Sequence, residues 1–182
     1  MTSARRAPAR LALAAGALLL LTGSGGLLTA QSDPGPALPT PQASYSTGVA
    51  SAVSALTAAL GAVNIPLFPP TQPARPSEPG SLVNAQRAVL QAGIDDPAGG
   101  YVVIYQLPDA PGAQTAATEL ASYLGSGFGQ TNFTVDTQFH VAQLDSAVIL
   151  TWWSREHSSD DQLAETAFQA MASVGLEVPV VK

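Results

Sequence analysis

No cysteine occurs anywhere in the 182 residues. Disulfides, thiolate metal sites and cysteine nucleophiles are excluded with it. Charge is scarce as well, at 11% of residues, and there are only two histidines. Three of the seven basic residues, Arg5, Arg6 and Arg10, precede position 30, whereas all 13 acidic residues follow it. The formal net charge of −6 therefore becomes −9 beyond Ala30, with 13 acids against four bases. Four scattered cations on an acidic chain give no electrostatic footprint for nucleic acid or anionic lipid, so no nucleic-acid partner is expected. There is no GxSxG elbow, and no spacing in the chain draws a serine, a histidine and an acid together.

What is present begins with an address. Arg5, Arg6 and Arg10 form a basic start, residues 11–21 (LALAAGALLLL) an apolar run, and residues 22–30 a small, Gly-rich stretch. That is the layout of a signal peptide over 1–30, with a cut after Ala30 or earlier near Ser24. The run from Leu11 to Ala30 is also just long enough to stay in a bilayer as an uncleaved anchor with its arginines inside. Both readings put the rest of the chain outside the cytoplasm, secreted or at the cell envelope. Membrane contact is expected only through Leu11 to Ala30.

Residues 31–45 read as a Pro-rich linker and 46–182 as a single domain with a Pro-rich arm at 65–80. In the arm Pro70, Pro73, Pro76 and Pro79 recur every third residue, the period of polyproline II. Such a segment either presents a ridge to a partner or straps the domain as a stiff arm, and the strap is the expectation.

A helix is expected from Ser46 or Thr47, with Val49, Val53, Leu56 and Leu60 as its stripe and Gly61 as its stop. Residues 82–94 fit both helix and strand, and the strand reading of 87–92 is preferred because turn-rich GIDDPAGG follows. Residues 101–107 (YVVIYQL) are apolar on both faces, as in a central strand. Asp109 and Pro111 open a second helix, striped by Ala113, Ala116, Ala117, Leu120 and Leu124, and Gly125–Gly129 is expected to be a flexible connector. Residues 136–154 alternate, break at Asp145-Ser146 and alternate again. This predicts a hairpin pairing Phe139 with Trp152, Val141 with Leu150 and Gln143 with Val148 on one face. Gln138 with Trp153, His140 with Thr151 and Ala142 with Ile149 then share the other. Ser159 and Gln162 suggest a capping box for a third helix, with a stripe of Ala164, Ala167, Phe168, Met171 and Val174. The tail after Gly175 is extended, and Pro179 confines it to a sheet edge or to no sheet. The fold class is α+β: a mainly antiparallel sheet of about four strands with two or three helices packed on it.

Candidate chemistry is thin. Glu156, His157, Asp160 and Asp161 crowd one segment and are weak metal candidates, but acidic residues in a first helical turn are what the helix dipole favours. Alternation sends Trp152 and Trp153 to opposite faces. Uncovered, Trp153 would form an aromatic platform with Gln138, His140 and Thr151, fit for a glycan, a peptide or another extracytoplasmic protein. Covered by the first helix or by the arm, it would be core. No catalytic residue and no cofactor is expected. The leading reading is a non-catalytic, envelope-associated binding module. A small hydrolase or metal-dependent enzyme using His140, or His157 with Asp160 and Asp161, is one alternative. A structural envelope protein held by its leader is the other.

Overall fold

The computed structural model describes residues 45–72, 74–94 and 99–182. The expected leader at 1–30, nearly all of the expected linker at 31–45, Pro73 and residues 95–98 lie outside them. Six strands form one antiparallel sheet in the order β1-β2-β3-β5-β4-β6, and three helices pack on it. The strands are β1 (Leu67–Phe68), β2 (Gln86–Ala92), β3 (Tyr101–Gln106), β4 (Gln138–Leu144), β5 (Ala147–Trp153) and β6 (Leu176–Val178). The helices are α1 (Thr47–Gly61), α2 (Ala110–Gly125) and α3 (Asp161–Ala172).

Two strands exceed the expected four. β1 comes from within the Pro-rich arm and β6 from the tail, and each is a short edge that proline ends at once, at Pro69 and Pro179. Residues 86–92 are a strand, as the turn-rich sequence after them implied. β3 and β5 lie at the centre, which is why both are apolar on two faces. Val102, Ile104, Ala142 and Ile149 join α1 and the inner side of α3 in one core. Val103, Tyr105, Val141, Leu150 and Trp152 join α2 in the other. The strands flanking α2, β3 and β4, are not neighbours, because β5 pairs with both of them.

The helix starts differ in detail from expectation. Ser46 precedes α1, but its hydroxyl donates to Gln106 Oε1 (2.8 Å) rather than capping its own helix. The same Gln106 oxygen accepts from the Val49 amide (3.3 Å), so a side chain at the end of β3 caps α1 from outside. α2 is capped as expected, with Asp109 accepting from Gly112 N (2.7 Å). α3 is capped by Asp160, which accepts from Leu163 N (2.9 Å), one residue beyond the expected Ser159. A carboxylate is the stronger acceptor at a helix N-terminus.

The arm straps the domain. Glu78, its side chain 2% exposed, pairs with Arg87 of β2, accepts from Tyr105 Oη (2.9 Å) and reaches Arg75 (3.3 Å). Burial, reinforced by the neighbouring Glu78 carboxylate, pushes the Tyr105 phenol well above its ordinary pKa and keeps it a donor. The glycine connector is also tighter than expected. A Cβ on Gly125 would collide with the Val181 carbonyl, and one on Gly129 with the backbone of Tyr123. These glycines serve close backbone approach.

Candidate functional site: a cleft beside His140

The hairpin has the register its alternation implied, with Gln138 opposite Trp153, His140 opposite Thr151 and Ala142 opposite Ile149. The face they share is not an open platform. Trp153 and Thr151 are 0% exposed and His140 is 5% exposed, and only Gln138 reaches solvent. The cover over Trp153 is α3, through Ala164 and Phe168, with Ile94 packed alongside. The Arg155 guanidinium lies 6.0 Å from the Trp153 ring centroid. The reason is topological. Only Ser154, the turn Arg155–His157 and three further residues separate β5 from α3, so the apolar stripe of α3 must fold back on the strand it follows.

Burial leaves this face with unmet demands. His140 Nε2, Thr151 Oγ1 and Trp153 Nε1 are buried without a hydrogen-bond partner. Each such group costs about 1–3 kcal/mol if it stays unsatisfied. Thr151 sits directly across from His140, and Trp153 is two residues further along the same face. The three polar atoms therefore come from neighbouring positions under α3. Burial lowers the His140 pKa, and the Glu177 carboxylate offsets that only in part, so the imidazole is neutral at neutral pH.

His140 also forms part of a cleft of about 370 Å³ between the end of α3 and strands β4 and β6. Phe168, Gln169, Ala172 and Ser173 make the α3 wall, and Phe139, His140 and Glu177 the strand side. His140 Nδ1 is 3.9 Å from Glu177 Oε1, and the His140 ring meets Phe168 edge to face at 6.4 Å. A neutral imidazole, a carboxylate, an amide and a hydroxyl beside an aromatic ring can bind a small polar molecule.

A second grouping is one that sequence spacing did not reveal. Ser154 Oγ donates to Asp136 (2.8 Å to either carboxylate oxygen), and His157 Nδ1 lies 3.2 Å from the same hydroxyl. The residue types are those of a catalytic triad, but the wiring is not. In a triad histidine stands between serine and acid, whereas here serine stands between the other two. The proton a base would need to remove is already given to Asp136. That carboxylate also accepts from the amide of Glu156 (3.0 Å) and from Thr134 Oγ1 (2.8 Å), and serves as a clip for the turn after β5. The Glu156 amide first, with the hydroxyls behind it, holds the Asp136 pKa at about 2 against some opposition from burial. Extending the hairpin register by two residues would set Asp136 opposite Arg155 and Ser154 opposite Thr137, so alternation alone gives no sign of the Asp136–Ser154 contact.

The weak metal candidates part company. Asp160 caps α3, Asp161 faces Arg155 (3.9 Å), and His157 leans on Ser154. Among the described residues no three His, Asp or Glu side chains converge. On the opposite face of the sheet, Tyr101 stacks on Trp152 (5.5 Å) and Phe133 meets Trp152 edge-on (5.4 Å). The arm closes over this stack through Ala74 and Pro76, leaving a cleft of about 280 Å³. No protein-family model matches the chain, and no curated protein or solved structure is similar to it.

Proposed function

We propose that this protein is a non-catalytic binding module acting outside the cytoplasm, at the cell envelope, and that it takes a small polar ligand or peptide terminus in the cleft beside His140. The observation that carries the reading is the lining of that cleft, where the buried His140 and the Glu177 carboxylate sit with Gln169 and Ser173 beside the Phe168 ring. A fold selected for stability alone would fill position 140 with an apolar side chain, because an unsatisfied polar group there costs more than it returns. Export is supported by the basic start at Arg5, Arg6 and Arg10 and the apolar run at 11–21.

Two measurements test this. A periplasmic-activity reporter fused after residue 45 reads export directly, and an inactive fusion removes the envelope placement. Amide chemical shifts of the labelled protein, titrated with a panel of short peptides, oligosaccharides and small charged or neutral molecules, read binding. Saturable shifts at His140, Phe168, Ser173 and Glu177 support the cleft. A panel that moves only residues elsewhere removes it.

A further inference from the structure

We infer that the cleft beside His140 selects a small organic cation, an ammonium or guanidinium group on a short alkyl chain. The inference rests on the cleft being a binding site and adds the class of ligand. Four features converge on it. First, no Lys or Arg lines the cleft. Lys182 lies 5.2 Å from the Phe139 ring, but its ammonium donates to the Thr137 carbonyl (2.6 Å) and it is not among the lining residues.

Second, one wall is the last turn of α3, where the helix dipole presents its negative end. Ser173 reinforces this, because its hydroxyl proton is committed to the Ala170 carbonyl (2.7 Å) and its oxygen is left to accept. Third, Glu177 brings a formal negative charge, with its side chain 70% exposed and 3.9 Å from His140. An anion entering here would meet that carboxylate and the helix end together. Fourth, the nine-tenths-buried His140 lines the site as a neutral ring that brings no positive charge, and beside it Phe168 offers an aromatic ring to an alkyl chain. A neutral imidazole does not repel an ammonium.

Size separates an organic cation from a bare metal ion. A volume of about 370 Å³ lies in the range of small-molecule sites. A divalent ion would want three or more anionic or imidazole ligands, and the side chains here supply one carboxylate and one imidazole.

The test is a charge series on one alkyl frame. Butylammonium, butylguanidinium, butanol and butyrate are titrated into the full-length labelled protein while the His140 ring and the Ser173 and Glu177 amides are observed. Both cations are expected to give saturable shifts, with butanol at least about tenfold weaker and butyrate giving none. E177Q is expected to weaken the cations about tenfold with the folded spectrum retained, and added salt to weaken them further. Equal binding of butanol and butylammonium overturns cation selectivity and leaves the cleft standing as a binding site. Binding of butyrate in preference does the same. Shifts of these residues with zinc or calcium but with no organic cation overturn the ligand class. If none of the probes, organic or metal, moves the cleft residues, the cation inference is lost, and the peptide and oligosaccharide panel then decides the cleft itself.

Discussion

Glu78 shows what one side chain can hold. Its buried carboxylate gathers Arg87, Tyr105 and Arg75, and through them it fixes the Pro-rich arm to the sheet. Replacing it with alanine leaves the buried Tyr105 hydroxyl without its acceptor and Arg87, 23% exposed, without its carboxylate. We expect E78A to lose about 3–5 kcal/mol in urea unfolding, against about 1 kcal/mol for Tyr105→Phe, which removes one donor only. Thermolysin should then cut the arm between residues 65 and 80 in E78A and spare it in the parent. Asp136 gives a pH signature. Its pKa of about 2 lies below the ordinary 3.8, so its contribution is complete above pH 4 and is lost as pH falls from 4 towards 2. Stability curves of the parent and Asp136→Asn should differ at pH 6 and converge near pH 2. His140 acts in another window. Its lowered pKa means that the unfolded chain takes up a proton first, so native stability declines as pH drops below about 6.5. His140→Gln should flatten that decline.

At the level of elements, α3 decides the fate of the hairpin's second face. In the Trp152→Phe variant Trp153 is the one remaining tryptophan, and α3 covers it completely. Its emission should be blue-shifted and protected from acrylamide. A red-shifted, readily quenched emission would mean that α3 does not sit on the strand in solution, and the cleft would go with it. Much at this scale was legible beforehand. The hairpin register follows from alternation because a slip of one residue would exchange the two faces. The helix stripes follow from the spacing of Ala and Leu. The identity of the cover did not follow, since α1, α3 and the arm all carry apolar residues and only chain connectivity chooses among them.

For the molecule as a whole, one sheet carries a core on each face. Both cores draw on β3 and β5, so damage on one side should propagate to the other. Leu120 of α2 is fully buried on one face. Leu120→Ala should cost about 2–5 kcal/mol and lower the urea midpoint without changing the slope of the transition. A second transition, with the α1–α3 side surviving, would show that the two faces unfold separately.

The sequence by itself determined the α+β class, the central place of residues 101–106, the hairpin and its register, and the three helices with their buried stripes. Each of these is a local periodicity or a capping residue, and local pattern is what a chain displays before it folds. It also determined the absence of thiol chemistry and the acidic balance. Only the tertiary structure decided that β1 and β6 extend the sheet, because two- and three-residue strands have no period of their own. It decided as well that Ser154 stands between Asp136 and His157, and that Glu177 meets His140 at the mouth of a cleft. Those meetings join segments distant in the chain, and their partners are chosen by how the layers close on one another.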